Sequence, residues 1–146
     1  MLNKIGIKHN NKILYPLVDE LLHFMQKFNK DYNNTFLALS QDDFLKNTVM
    51  NDSAFILWQK KWQKNFNSFS SMKKAQDLMK KNNPIIIPRN HLVEEALEEA
   101  SNGNINSFQK LLQIISNPYQ QKNDLDKFMK PPEASFEENF QTYCGT

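Results

Sequence analysis

The chain has 146 residues, of which 40% are apolar and 23% charged, and its formal net charge is +2. This length fits one globular domain, and an aromatic content of 12% argues against intrinsic disorder. No segment approaches the roughly 18 consecutive apolar residues of a membrane span, and the first residues lack the apolar core of a secretory signal. We therefore expect a cytosolic protein that makes no use of a membrane.

Two scarce residue types exclude several classes of site. The three glycines, Gly6, Gly103 and Gly145, are too far apart to share a phosphate-binding loop, which excludes an autonomous kinase, NTPase or dinucleotide enzyme. The single cysteine, Cys144, excludes a disulfide framework or a cysteine-pair zinc site within the chain. The three histidines lack metal-ligand spacing. The sequence thus predicts no catalytic residue, no metal site and no bound cofactor in this chain.

Apolar residues recur at helical spacing through most of the chain. In the first half of the chain, the pattern predicts a helix from Pro16 to Phe28, a loop or short helix at Asn33-Asn34 and a helix capped by Ser40. An aromatic-rich helix from Asp52 or Ser53 to Phe69 and a lysine-rich helix that ends at Asn82-Asn83-Pro84 follow. The last two predicted helices run from about Asn90 to the C′ residue Gly103 and from Asn104 to Ile115. The triplet Ile85-Ile86-Ile87, between two prolines, predicts an extended connector. We expect an all-α fold of about five to seven helices and no sheet.

The periodicity ends after Asn117-Pro118. The last thirty residues carry isolated large apolar side chains between prolines, which is typical of an extended segment laid over a surface. We therefore divide the chain into a helical domain over 1–116 and an extended tail over 117–146 that ends in Cys-Gly-Thr. The aromatic side chains of the tail and the Trp58/Trp62 stripe would leave an apolar surface uncovered in this chain. Such a surface predicts self-association.

Charge is unevenly distributed: residues 1–83 carry a net charge of +6 and residues 84–146 a net charge of −4. The lysines interleave with Trp58 and Trp62, an arrangement that can bind nucleic acid through stacking. The alternative is a solvated lysine face over an aromatic core, and we favour it because the tryptophans follow the core stripe. An independent helical binding module for protein or nucleic acid remains the second functional hypothesis.

Arg89 is the only arginine beside 17 lysines. It stands in Pro88-Arg89-Asn90-His91, where a helix is predicted to begin. A guanidinium pairs bidentately with a carboxylate or phosphate, and a helix N-terminus adds free N–H groups. Arg89, Asn90 and His91 are therefore a candidate anion site or a structural ion-pair site, and we favour the structural role.

Cys144 lies third from the end, beside Gly145. A cysteine in such a terminus can reach a second thiol, so the spacing is equally compatible with a redox thiol and an incidental one.

Several blocks resemble the C-terminal region of the selenoprotein O (SelO) family. They are Asn83-Pro84-Ile-Ile-Ile-Pro88-Arg89-Asn90-His91-Leu-Val93-Glu94-Glu95-Ala96-Leu97, Asn102-Gly103-Asn104, Asn117-Pro118-Tyr119 and the terminal Tyr143-Cys144-Gly145-Thr146, with Asp31–Ser40 and the Trp58/Trp62 helix in matching order upstream. The resemblance extends over essentially the whole chain.

Members of that family are kinase-like proteins that transfer AMP from ATP to protein hydroxyl groups. The resemblance implies that ATP and Mg²⁺ bind to a kinase-like part outside this chain, and that this part is its partner. It also implies a redox-active residue at Cys144, where family members carry selenocysteine or cysteine, with the second thiol in the kinase-like part. The expected role is that of an inert accessory domain in the bacterial cytoplasm.

Overall fold

Helices make up all the regular secondary structure of the described residues. The computed structural model describes residues 1–8, 12–41, 52–67, 71–120 and 124–141. Within these ranges lie α1 (Tyr15–Lys27), α2 (Tyr32–Leu39), α3 (Ser53–Asn67), α4 (Met72–Asn82), α5 (Asn90–Ser101), α6 (Asn106–Ile115), α7 (Asp126–Met129) and α8 (Ala134–Asn139), with two 3₁₀ turns at Leu2–Ile5 and Lys12–Leu14. No strand occurs in these ranges, so the all-α prediction is confirmed.

The chain forms two compact units, an N-terminal unit of residues 1–85 and a C-terminal unit of residues 86–146. The N-terminal unit contains α1 to α4 and the C-terminal unit α5 to α8. The sequence-based division at residue 116 describes the expected domain organisation of a longer protein and stays a prediction. None of the helices in the described ranges is both long and apolar enough to cross a bilayer.

The N-terminal unit is built around two tryptophans of α3. Trp58 and Trp62 are buried and stacked, with ring centroids 5.7 Å apart. Each indole Nε1 donates a hydrogen bond of 2.7 Å to a main-chain carbonyl, of Leu17 and Ile5 respectively. Because both rings are inside the core, they offer no stacking platform to a nucleic acid, and the preferred interpretation of these tryptophans as core residues fits the structure.

Asn83, just after α4, connects three segments of the N-terminal unit. Its side chain is fully buried, and its Nδ2 donates to the carbonyls of Lys4 at 2.9 Å and Phe36 at 3.3 Å. Lys4 Nζ in turn donates to the Asn82 carbonyl at 3.1 Å and lies over the Phe36 ring. The sequence predicts only a helix break at this position. The buried amide explains why an asparagine fits there, since it satisfies two carbonyls that would otherwise be buried without partners.

Ser40 closes α2, which the sequence does not predict. Its hydroxyl donates to the Leu37 carbonyl at 2.6 Å. Its role as the N-cap of a following helix stays a prediction. The predicted helix after Ser40 lies outside the described residues. Asp52 behaves as predicted: its Oδ1 accepts from the Ala54 N–H at 2.7 Å at the start of α3.

Helices α5 and α6 form a hairpin in the C-terminal unit, as the sequence predicts. Gly103 follows α5 with a φ of 89°, a left-handed conformation. The Asn104 N–H donates to the Glu99 carbonyl at 2.9 Å and the Gly103 N–H to the Ala100 carbonyl at 3.0 Å. This is the Schellman arrangement, which ends a helix in two residues and allows a short turn.

The segment after residue 117 contains more helix than expected. Its described part holds α7 and α8, although the sequence predicts an extended tail. Pro131 and Pro132 stand between these helices and prevent them from continuing as one helix. Leu125 and Phe128 are buried, which explains how a four-residue helix is held in place.

Candidate functional site around Arg89

An extended segment leads from the N-terminal unit into α5 and ends at Arg89. This residue is the N-cap of α5, with φ −88° and ψ 132°, and its carbonyl accepts the first helical hydrogen bonds from Leu92 and Val93, both at 3.0 Å. Nearby, the Ile86 N–H donates to the Pro118 carbonyl at 3.2 Å. The predicted extended connector at residues 85–87 is therefore present, and it sets the direction from which α5 begins.

The Arg89 side chain is buried, with only 6% of its surface exposed. Its Nη2 donates to the carbonyl of Met129, the last residue of α7, at 2.9 Å. A hydrogen bond from a charged donor is stronger than a neutral one, and here it joins the start of α5 to the end of α7. This geometry gives Arg89 a positioning role within the unit; its assignment as an anion or ion-pair site stays a prediction.

A pocket of about 410 Å³ lies beside Arg89. Its lining residues are Ile87, Pro88, Arg89, Asn90, Pro132, Phe136, Glu137 and Phe140. The structure thus brings together two of the three candidate site residues, Arg89 and Asn90, with aromatic rings of the tail. The lining also includes an acidic residue, Glu137, which would repel an anion.

His91, the third candidate, does not line this pocket. Its ring packs edge-on against Phe136, with centroids 5.9 Å apart. Its Nδ1 is buried and has no hydrogen-bond partner among the described residues. Burial, and then the nearby charge of Arg89, lower the pKa of His91 below its ordinary value of 6.5. A neutral, packed imidazole suits a structural contact with α8 better than the binding of an anion.

Cys144 and metal binding are the two other points that the sequence raises about a site. Cys144 lies outside the described residues, so its role stays a prediction. Within the described ranges, no group of three or more His, Cys, Asp or Glu side chains could hold a metal ion.

Sequence reasoning missed the partners of Arg89. A main-chain carbonyl leaves no trace in a sequence, so the Met129 contact had no signal. The aromatic residues Phe136 and Phe140 did have one, because their isolation between polar residues predicts that each fills a local pocket. The sequence did not indicate that this pocket is the one beside Arg89.

A family model described as protein adenylyltransferase SelO matches residues 1–116. The match extends over well more than half of the chain, including both Trp58 and Trp62 in the N-terminal core and Arg89 at the start of α5. The chain therefore belongs to the SelO protein adenylyltransferase family.

Curated bacterial proteins named protein nucleotidyltransferase YdiU are similar to the whole chain. The identity is 38% over 148 residues for the protein of Bacillus cereus (strain B4264), 40% over 147 residues for that of Pelagibacter ubique and 39% over 150 residues for that of Clostridium perfringens. In each case all of this chain is covered, but only 30% of the relative. The chain thus spans about 30% of the length of the curated relatives that it matches.

Proposed function

We propose that this chain is an accessory domain of a SelO-like protein adenylyltransferase, inert by itself, whose full-length form transfers AMP from ATP to hydroxyl side chains of proteins in the bacterial cytoplasm. The observation that carries the proposal is the family match over residues 1–116 together with the 30% coverage of the nucleotidyltransferase relatives. ATP and Mg²⁺ are assigned to the part of the protein outside this chain.

The glycine positions support the inert role of the isolated chain. A loop that binds phosphate needs closely spaced glycines so that the backbone can approach the oxygens, whereas these glycines stand at positions 6, 103 and 145. Gly6 and Gly103 also have clear structural uses, since each ends a helical segment in a left-handed conformation.

Cys144 is proposed as a redox switch of the full-length protein. The Cys144 thiolate would attack a low-molecular-weight disulfide, which gives a mixed disulfide and releases one small thiol. A thiolate of the kinase-like part would then attack the Cys144 sulfur and displace the second small thiol. One protein disulfide forms, two small thiols are released, and the electrons pass to the small disulfide. The bridge would tie the C-terminus to the catalytic part and alter its activity.

The test is an AMP-transfer assay of the full-length protein with labelled ATP and an acceptor protein. Wild type and Cys144→Ala are compared after treatment with reductant and with oxidised glutathione. We expect the oxidant to change the rate of wild type only. Equal rates in all four conditions would leave Cys144 as an incidental thiol, and absence of AMP transfer under every condition would contradict the adenylyltransferase assignment itself.

The alternative, an independent binding module, has less support. The lysines of α4 are exposed, but the two tryptophans that would stack on bases are in the core. A fluorescence titration with single-stranded oligonucleotides at low salt tests the nucleic-acid form of this alternative, because such a module would bind with an affinity that falls steeply as salt rises.

A further inference from the structure

The C-terminal unit leaves a group of large apolar side chains exposed on its helical hairpin. We call them the outer face: Leu97 on α5, exposed by 48%, Ile105 at the N-cap of α6, exposed by 52%, and Phe108 and Leu112 on α6, exposed by 38% and 50%. Single exposed apolar residues are common on protein surfaces, but neighbouring ones on packed helices mark an interaction site. These residues can form one interaction site only if they share one side of the hairpin.

One side of the hairpin is marked by its contacts with α7. Glu95 on α5 forms a salt bridge of 2.7 Å with Lys127 of α7. Lys110 on α6 lies over the ring of Phe128, also in α7, with Nζ 5.8 Å from the centroid. Both helices of the hairpin thus turn these positions toward α7.

The outer face lies on the opposite side. Successive residues of an α-helix are rotated by about 100°, so Leu97 is about 200° from Glu95 and Leu112 is about 200° from Lys110. Because Leu97 and Leu112 are each two positions from a residue that contacts α7, both side chains point away from α7. Phe108 is also two positions from Lys110, so Leu97, Phe108 and Leu112 share the side of the hairpin that faces away from α7.

Acidic residues border this surface. Glu94 and Glu98 flank Leu97 on α5, and neither carboxylate takes part in an ion pair among the described residues. Two like charges four residues apart weaken a helix slightly, and a basic partner would remove that cost. The only basic residue of α6, Lys110, is on the α7 side. A second copy of the same face would bring no compensating charge.

We propose that the outer face docks against the part of the full-length protein that lies outside these 146 residues, on an apolar surface bordered by lysine or arginine. The inference rests on the proposed function, under which this chain is one part of a longer protein. The relatives support this occupant, since the chain spans only 30% of their length. Docking there would hold the hairpin, and the tail behind it, against the catalytic part.

The experiment compares Leu112→Glu in the full-length protein and in the 146-residue chain. In the full-length protein we expect the apparent unfolding midpoint to fall by at least about 4 °C and amide exchange across residues 93–115 to rise about tenfold, because a carboxylate would be buried at the contact. In the short chain Leu112 is half exposed, and we expect the midpoint to change by less than about 1 °C.

Two matched variants on the same helix serve as controls. Asn106→Glu introduces the same residue at an exposed position in the first turn of α6, where a negative charge is favourable, and should destabilise neither protein. Leu111→Ala removes a buried side chain and should destabilise both.

Three results would overturn the proposal. If Leu112→Glu leaves the unfolding midpoint of both proteins unchanged, nothing covers the outer face. If it lowers both midpoints equally, residues of this chain cover the outer face. A full-length dimer that Leu112→Glu converts into a monomer would assign the face to a second copy. Since the readouts are stability and exchange, a failure of AMP transfer would refute the proposed function without deciding this inference.

Discussion

The two units of this chain use their polar and apolar side chains differently. In the N-terminal unit the largest side chains are inside: Trp58 and Trp62 are buried, and each indole N–H has a main-chain acceptor. In the C-terminal unit an arginine occupies part of the interior, while Leu97 and Leu112 remain half exposed. The difference lies in how the interior polar groups are used: the indole N–H groups of the N-terminal unit stabilise its core, whereas the buried guanidinium of Arg89 joins α5 to α7 in the C-terminal unit. Both units also expose apolar side chains, such as Leu57 on α3.

The largest expected effect is that of Trp62→Ala, which tests the self-sufficient core of the N-terminal unit. The substitution removes a completely buried indole and leaves the Ile5 carbonyl without its donor, so we expect a loss of about 3–5 kcal/mol in the free energy of unfolding. Urea denaturation followed by the fluorescence of Trp58 measures it. Leu57→Ala, at a position exposed by 62% on the same helix, should cost less than about 1 kcal/mol. Equal effects of the two variants would contradict the described core.

Two glycines offer a matched comparison between the units. Gly6 and Gly103 both have a positive φ, of 77° and 89°, but an added Cβ at Gly6 would lie 2.8 Å from the Ala75 Cβ, whereas at Gly103 nothing lies within 4 Å. Gly103→Ala should therefore cost only the conformational penalty of about 1–2 kcal/mol. Gly6→Ala adds overpacking and should cost about 2–4 kcal/mol. Thermal unfolding of both variants checks the order, and a larger loss for Gly103→Ala would contradict it.

Arg89→Lys tests whether the buried guanidinium holds α7 in place. Lysine cannot reproduce the planar donor geometry, so we expect a loss of about 1–3 kcal/mol in the stability of the C-terminal unit and faster amide exchange in α7. Lys127→Met removes an exposed salt bridge to Glu95 and serves as the control, with an expected cost of about 0–1 kcal/mol. Unchanged exchange at residues 126–129 in Arg89→Lys would show that the guanidinium does not fix α7.

The smallest effect is a pH dependence from His91. Its pKa in the folded state is lowered by burial and by Arg89, with Lys127 and Lys130 acting in the same direction and Glu95 opposing them. The folded state therefore favours the neutral ring. The stability that His91 contributes is fully present above its pKa of 6.5 in the unfolded chain. This stability is lost as the pH falls below 6.5, and the loss levels off below the pKa of His91 in the folded state.

Unfolding of the C-terminal unit between about pH 7.5 and pH 5 measures this dependence. We expect His91→Phe to flatten the decrease in stability relative to wild type, because phenylalanine keeps a ring against Phe136 and carries no proton. An identical pH profile in the variant would show that His91 does not contribute.

Patterns that repeat along the chain made most of the fold predictable. Helical spacing located α1, α3, α4, α5 and α6, and Gly103 was recognised as the end of α5 because glycine takes a left-handed conformation with the least strain. The two short helices of the tail were missed because their stability comes from buried residues such as Phe128, and not from local propensity.

The sequence pointed to Arg89 and Asn90, which line the pocket, and to His91, which does not. A lone arginine at a helix start drew attention to Arg89, but its acceptor, the Met129 carbonyl, is forty residues away. The contact of Ser40 with α2 was missed for a related reason: a serine between two helical patterns can bond to either one, and the sequence does not show which backbone group lies nearer.

The central claim is that this chain is an accessory part of a protein adenylyltransferase and is inert alone. The most direct measurement is transfer of label from α-phosphate-labelled ATP to an acceptor protein, made side by side for the full-length protein and the 146-residue chain with Mg²⁺ present. The account predicts labelled acceptor with the full-length protein and none with the chain alone. Labelling by the chain alone, or micromolar binding of Mg·ATP to it in a calorimetric titration, would contradict the account.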